Sequence, residues 1–250
     1  MEYVTSRQNS AVQHIKKLTS NRKYRRQSGE FLCEGPKMWS EAVRWGWVIS
    51  TLLTSEESIL REWEGTPARS LLVSPELLSY AADTQTPQKL LFTCRIPDMP
   101  ETLPGERFLV LDGVQDPGNV GTIWRTADAF GANALILLPG CADPWSPKVV
   151  RATMGACFRL PVIPCALEQL TTLLSDKGIP LYATALREDT QDIRSVDLSR
   201  AAVVIGSEGA GVSSQVLAGC EKTLKIPMRE RCESLNAAIA AGIVLWESWK

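Results

Sequence analysis

The stretch from Leu224 to Trp249, LKIPMRERCESLNAAIAAGIVLWESW, restricts what this chain can fold into more than any other. A short apolar run closes on Pro227 and a charged loop follows; from Ser234 onward the chain is so rich in Ala and Gly that another segment of backbone can pack close against it. The pattern predicts strand, loop and helix. Ser234 stands at the N-cap, where its hydroxyl accepts from the exposed amides of the first turn, and Asn236 falls inside that turn. Unpaired N–H groups and the positive end of the helix dipole make such a terminus a place for polar or anionic ligands. A small ligand held there would meet Ile226 to Met228, Leu235 and the start of the helix. The same pattern also describes an ordinary capped core helix, and this stretch alone does not separate the two.

A chain of 250 residues suits one large or two modest domains with a real core. It contains no apolar run of about 18 residues, so no membrane span is expected. The opening residues MEYVTSRQNS lack an apolar signal core, which points to an intracellular, cytoplasmic protein. Seven scattered cysteines with no C-x-x-C pair favour reduced thiols over disulfides or a zinc site, and no metal is expected. His14 is the only histidine, so a Ser-His-Asp or Cys-His machine would have to be built on it, and nothing in the surrounding sequence supports one.

The net charge of -1 hides an asymmetry. Residues 1 to 30 carry Arg7, Lys16, Lys17, Arg22, Lys23, Arg25 and Arg26 against Glu2 and Glu30, so this arm is +5 and the remainder -6. With Tyr24 among them, these cations fit a phosphate-contacting segment whose binding weakens steeply with salt. They also fit a solvated helix face.

In chain order, the spacing predicts a helix over Ala11 to Thr19, a strand at Phe31 to Cys33, and a helix from Pro36 stopped by Gly46. Trp47 to Leu53 reads as a strand, Glu56 to Trp63 as a helix and Arg69 to Val73 as a strand. Ser74 and Pro75 open another helix, and Lys89 to Cys94 makes the last apolar run of this half. Strands alternating with helices imply an α/β domain with a parallel or mixed sheet. Ile96 to Glu106, with three prolines, reads as a linker, which divides the chain into residues 1–95, a linker at 96–106 and residues 107–250. The second half opens with a buried strand at Phe108 to Leu111, then a helix capped by Asn119 whose apolar face leaves Arg125 outside. Strands follow at Ala134 to Leu138, Pro180 to Ala185 and Ala202 to Ile205, with helices at Lys148 to Met154 behind Ser146, at Leu167 to Ser175 and at Ser213 to Leu217.

Val203 to Leu217, VVIGSEGAGVSSQVL, is a buried strand, a glycine loop and a helix. Gly206, Gly209 and Gly211 allow positive φ and close approach of a ligand to the backbone. Neither G-x-G-x-x-G nor G-x-x-x-x-G-K-[ST] occurs, so a dinucleotide or P-loop site is disfavoured. Glu208 in this loop would repel a phosphate and suits a cationic or hydroxyl-bearing ligand.

Three stretches together, DPGNVGTIWRTADAFGA (Asp116 to Ala132), VIGSEGAGV (Val204 to Val212) and IPMRERCESLNAAIAAGI (Ile226 to Ile243), resemble the three motifs of the SpoU family of RNA 2'-O-ribose methyltransferases in the SPOUT superfamily. The resemblance covers Phe108 to Trp249. Residues 1 to about 95 are similar, more loosely, to the ribosomal-protein-like α/β domain that many members use to bind RNA. What the resemblance implies is an α/β chain with a C-terminal deep trefoil knot, an unusual exception to the rules of chain connection. It also implies S-adenosylmethionine as methyl donor, ribosomal RNA as substrate with transfer RNA as the alternative, and a homodimer. Carried onto matching positions, the donor touches Ala185, Gly206, Ile226, Met228 and Leu235, and Asn119, Arg125, Glu208, Ser234 and Asn236 form the catalytic set. Arg125 matches the motif arginine associated with activation of the 2'-hydroxyl. A guanidinium with a pKa above about 12 is better suited to stabilising a developing alkoxide or anchoring phosphate than to removing a proton. The chain departs from the family pattern at Glu230 and Lys89, where glycine is usual, and at Ala237, where valine is common. Two competing readings are an RNA-binding protein of the same fold without methyl transfer, and a nucleotide-dependent enzyme built on the Gly206 loop.

Overall fold

The computed structural model describes residues 2–62, 68–187, 190–229 and 234–249. The expected helical end at Trp63 and the departure at Glu230 lie outside the described residues. In chain order the elements are β1 (Glu2–Val4), α1 (Ser10–Ser20), α2 (Arg22–Ser28), β2 (Glu30–Glu34), α3 (Pro36–Arg44), β3 (Ile49–Thr54), α4 (Glu57–Glu62), β4 (Arg69–Val73), α5 (Pro75–Ala81) and β5 (Leu90–Arg95). They continue as β6 (Phe108–Asp112), α6 (Pro117–Ala129), β7 (Ala134–Leu137), α7 (Pro147–Thr153), β8 (Val162–Pro164), α8 (Leu167–Lys177), β9 (Leu181–Thr184), β10 (Gln191–Asp192), β11 (Ala202–Gly206), α9 (Ser214–Ala218), β12 (Lys222–Lys225) and α10 (Ala237–Trp249). Two compact units result. One comprises Met1–Asp98 with Asp143–Phe158, the other Met99–Ala142 with Arg159–Lys250. No described helix is long and apolar enough to cross a membrane.

The first unit holds a mixed sheet in the order β1-β4-β3-β5-β2, in which β4 runs parallel to β1 and β3 while β5 runs antiparallel to β3 and β2. Helix α1 buries Ala11, Val12, Ile15 and Leu18, one face at helical spacing, and is capped by Asn9, whose side-chain oxygen accepts from the Ala11 amide at 2.9 Å. The Ser74 hydroxyl does the same for α5, accepting from Leu77 at 3.3 Å, with Pro75 in the first turn. The strand expected from Trp47 begins instead at Ile49. Gly46 at φ 69° lets the Trp47 amide reach back to the Ala42 carbonyl at 2.9 Å, so Trp47 belongs to the C-terminal turn of α3. The basic segment after α1 is itself a helix, α2, and one of its arginines is internal. Arg25 is 4% exposed; its guanidinium donates to Asp143 at 2.7 and 2.9 Å and to the Leu18 carbonyl. Phe31, Trp47, Trp145 and Phe158 pack ring on ring beside this pair, with the Trp47 indole donating to the Phe158 carbonyl at 2.9 Å. Lys89 is tied down by an ion pair with Glu56.

The second unit is a seven-stranded parallel sheet in the order β10-β12-β9-β11-β6-β7-β8. Its central strands are apolar runs buried from end to end, FLVLD in β6 and ALIL in β7, as a sheet covered on both faces requires. One face packs Val110, Ile136 and Val204 against Leu170 and Leu174 of α8. On the other, α10 returns to lie against α6 and β11. The edge strands β8 and β10 are too short to leave a period in the sequence, and none is expected there. With β7 and β8 on one side of β6 and β11, β9, β12 and β10 on the other, the loops leaving β6, β11 and β12 converge at the C-terminal edge of the sheet, where open α/β folds bind ligands.

Candidate active site

The loop after β11 turns on two glycines for different reasons. Gly211 takes φ 68°, a conformation that disfavours any side chain, and its backbone pairs with Ser207 in both directions at 2.9 and 3.1 Å. Gly206 does not have positive φ; a Cβ there would run into the carbonyl of Gly211 and the amide of Val212, so the loop closes only because Gly206 has none. Gly209, by contrast, faces open space. Of the three glycines expected to turn with positive φ, only Gly211 does.

This loop walls a cavity of about 440 Å³ together with the end of β9, the segment after β12 and the start of α10. Ala185, Gly206, Ile226, Met228 and Leu235 all line it, as do Ser234 and Glu208. The wall is fixed at its base by backbone and hydroxyl bonds. The Ala185 amide donates to Leu224 at 2.9 Å and the Thr184 hydroxyl to Val204 at 2.9 Å. The amides of Met228 and Leu235 have no hydrogen-bond partner among the described residues, so the lining offers donors as well as apolar surface.

At the rim, one carboxylate oxygen joins three separate segments. Glu208 Oε1 accepts from Asn119 Nδ2 at 2.7 Å, from Asn236 Nδ2 at 2.6 Å and from the Ala237 amide at 3.4 Å. Asn236 Nδ2 also reaches Asn119 Oδ1 at 3.2 Å. A carboxylate at the head of α10 lies at the positive end of its dipole, which favours the charge. The glycine loop and the first turns of α6 and α10 thus meet in one cluster.

Two caps differ from the sequence expectation. Asn236, not Ser234, caps α10, because its Oδ1 is placed to accept from Ala238 at 2.9 Å and Ile239 at 3.3 Å, and the helix starts at Ala237. Asp116, not Asn119, caps α6: its carboxylate accepts from the Asn119 amide at 2.8 Å, with Pro117 at the first helical position. The D-P-G sequence carried that signal, an acceptor followed by a helix-starting proline. Ser146 does precede α7, but its hydroxyl makes no cap hydrogen bond.

Arg125 stands apart from this cluster. It is exposed on α6 and makes no hydrogen bond or ion pair with any described residue. Asn119, Glu208 and Asn236 are brought together, Ser234 lies on the cavity wall, and Arg125 is an exposed cation on the helix that begins at the rim. Sequence reasoning missed Asp112, at the end of β6, whose carboxylate accepts from the Ser213 amide at 2.7 Å and so anchors α9 beneath the loop. Burial pushes the Cys165 thiol up to about 11; burial and the Asp112 charge do the same for Cys220, so neither supplies a thiolate near neutral pH.

Comparison with known proteins matches this geometry to a family. The SpoU rRNA Methylase family matches residues 106–246, and the MRM3-like substrate binding domain matches residues 9–91. The chain is 32% identical over 246 residues, 98% of each chain, to the 23S rRNA (guanosine(2553)-2'-O)-methyltransferase RlmP of Bacillus subtilis. It superposes with TM-score 0.88 and 34% identity on the AdoMet-bound rRNA methyltransferase from Sinorhizobium meliloti, over 99% of this chain and 97% of that one. A similar match, TM-score 0.87 with 30% identity and 97% of each chain covered, links it to the SpoU methyltransferase AviRb from Streptomyces viridochromogenes in complex with AdoMet. With its three motifs gathered at the C-terminal edge of one parallel sheet, and a smaller α/β unit built mainly from its N-terminal residues, this chain belongs to the SpoU rRNA methylase family.

Proposed function

We propose that the protein is an S-adenosylmethionine-dependent methyltransferase that modifies a ribose 2'-hydroxyl of ribosomal RNA, with residues 107–250 carrying out the transfer and residues 1–95 holding the RNA. The observation that carries this reading is that five residues from four separate stretches, Ala185, Gly206, Ile226 with Met228, and Leu235, line one cavity whose rim is closed by Glu208. The cavity fits the donor. Its volume of about 440 Å³ is ordinary for a small-molecule site. Ile226, Met228 and Leu235 give apolar surface for a flat base, and the amides of Met228 and Leu235, unpaired among the described residues, suit its acceptor atoms. A carboxylate at the rim suits a ligand that carries positive charge.

S-adenosylmethionine would supply a methyl carbon on a sulfonium: the 2'-oxygen bonds to that carbon as the carbon–sulfur bond breaks, S-adenosylhomocysteine leaves, and the hydroxyl proton passes to water. The contribution of this chain is positioning and charge. Glu208, held by Asn119 and Asn236, fixes the glycine loop against the head of α10. Ser234 offers a hydroxyl to the ligand or the ribose. Arg125, unpaired among the described residues, supplies a permanent cation for the developing alkoxide or for an adjacent phosphate.

The homodimer is proposed on a second surface. An open groove of about 470 Å³ between α6 and α10 is lined by Thr126, Phe130, Gly242, Ile243 and Trp246, and Ile239 and Trp246 are more than half exposed beside it. An apolar face of this kind suits a second copy of the chain. Action on ribosomal RNA fits a cytoplasmic protein.

The decisive experiment is calorimetric titration with S-adenosylmethionine and S-adenosylhomocysteine, followed by labelled methyl transfer to an unmodified 23S rRNA transcript. Saturable binding of both and label in alkali-resistant dinucleotides are the expected results. A folded protein that binds the transcript but neither ligand would instead be an RNA-binding member of the family without transfer activity.

A further inference from the structure

The first unit carries an exposed corner that is both apolar and basic. Helix α3 ends at Arg44, and Trp45 follows in its C-cap with half of its surface open to solvent. Val43 and Val48, 44% and 59% exposed, flank it. Arg95, at the end of β5, donates its amide to the Val48 carbonyl at 3.2 Å and is itself exposed. Neither Arg44 nor Arg95 has an ion-pair partner among the described residues. Glu41 stands one turn earlier on α3 and is itself engaged, and Glu30, opposite Arg95 in the sheet, has its carboxylate bound by His14 at 3.0 Å. Two cations without an ion-pair partner among the described residues are thus placed close to Trp45 along the chain, Arg44 as its sequence neighbour and Arg95 through the backbone bond to Val48.

The other aromatic rings described in this unit are differently placed. Trp39 and Trp47 are packed among other rings. Tyr24 lies under Lys17 at 5.4 Å and Tyr80 under Arg7 and Lys16 at 4.6 and 5.2 Å, so the cations of the chain already occupy their surfaces. Tyr3 is exposed, but Arg69 on the adjoining strand is held by its neighbour Glu2. The corner is also continuous with the basic helices: His14 of α1 bonds both Tyr24 of α2 at 2.8 Å and Glu30, which pairs in register with Arg95.

We propose that Trp45, flanked by Arg44 and Arg95, is a stacking platform for an unpaired base of the RNA, with the two arginines on its neighbouring phosphates. The proposal rests on the RNA reading above and specifies a contact within it. A base can lie against an indole face only when it is out of a helix, and such stacking is tolerant of base identity. Arginines next to the platform supply charge complementarity that a purely apolar protein-docking patch lacks.

The test compares binding of a single-stranded oligoadenylate and of a duplex RNA of equal charge by the native protein and by Trp45→Ala, Trp45→Phe and the double variant Arg44→Gln/Arg95→Gln. Trp45→Ala is expected to weaken oligoadenylate binding roughly tenfold or more while changing duplex binding less than about twofold, and Trp45→Phe to restore most of the loss. The arginine variant is expected to lower the salt slope for oligoadenylate by about 0.7 for each phosphate released. S-adenosylmethionine affinity and the unfolding midpoint report that each variant is folded. Unchanged oligoadenylate binding by a folded Trp45→Ala overturns the proposal and makes the corner a candidate for protein contact. Equal loss on both RNAs also overturns it, because stacking is not then the cause. A native protein that binds neither RNA overturns the RNA reading itself, and the platform with it.

Discussion

In the mechanism proposed above, Arg125 is the residue on which methyl transfer and mere binding part. Because it is solvent-exposed and unpaired among the described residues, its replacement leaves no buried group unsatisfied, so a large effect arises in RNA binding or in the reaction and not in the fold. Arg125→Ala is expected to leave S-adenosylmethionine binding nearly unchanged and to cut turnover by roughly 100-fold or more, the scale of losing one preorganised charge donor. Native turnover in this variant would remove Arg125 from the mechanism. Glu30 makes the contrasting case of a charged residue whose role is structural. Burial raises its carboxyl, but the hydrogen bond with His14 at 3.0 Å and the neighbouring hydroxyls of Ser50 and Thr93 outweigh that and hold it below the ordinary value of 4.5. A depressed carboxyl contributes stability above the unfolded-state value, and that stability is lost as pH falls through the lowered native one. Glu30→Gln is therefore expected to unfold at lower temperature than the native protein at pH 7, with the gap narrowing as pH falls below 4.5. A gap that stays constant across that window in a thermal-melt series would contradict the linkage.

At the scale of the element, the start of α10 combines a helix cap and a contact to the cavity rim in one side chain. Asn236 caps the helix through Oδ1 and holds Glu208 through Nδ2. Asn236→Ala loses both, and the lost cap alone is worth about 1 kcal/mol. Asn236→Asp keeps a capping oxygen but sets a second carboxylate against Glu208. It is expected to recover part of the stability lost in the alanine variant while binding S-adenosylmethionine no better than it. Full recovery of donor affinity in the aspartate variant would mean that the Glu208 contact is incidental to the cavity. The same element shows which features a sequence can carry. The strand, loop and helix around Pro227 and Ser234 are legible because apolar runs and small-residue stripes are local signals. The cap is not, because Ser234 and Asn236 are both good caps two residues apart, and the choice between them is made by Glu208, 28 positions away in sequence. Trp47 fits a strand by its apolar character alone; the positive φ at Gly46 turns it back onto α3. The cavity residues become legible only through the motif resemblance, since nothing in the spacing of Ala185, Gly206 and Leu235 brings them together without the sheet order.

Across the whole molecule, the basic arm has to be divided by burial before it is assigned to RNA. Residues 1–30 hold seven cations, yet Arg25 is inside the first unit, bound to Asp143, and Val12, Ile15 and Leu18 of the same segment are fully buried. Removal of residues 1–26 would therefore take out part of that unit's core, and a loss of RNA binding would report unfolding. Lys17, Arg22, Lys23 and Arg26, by contrast, are exposed on α1 and α2 and have no carboxylate partner among the described residues. Changing these four together to Gln, with Arg25 kept, removes charge without removing packing. Each phosphate that a removed cation had neutralised should lower the slope of log K against log salt by about 0.7 to 0.9, so binding to a 23S rRNA transcript is expected to weaken most at low salt and the slope to fall by up to about 3 units. S-adenosylmethionine binding, which depends on the second unit's sheet, should be unaffected. If the variant with all four changes keeps both its unfolding midpoint and the native salt slope, α1 and α2 present a solvated face, and the RNA contacts of this unit have to be sought elsewhere on it.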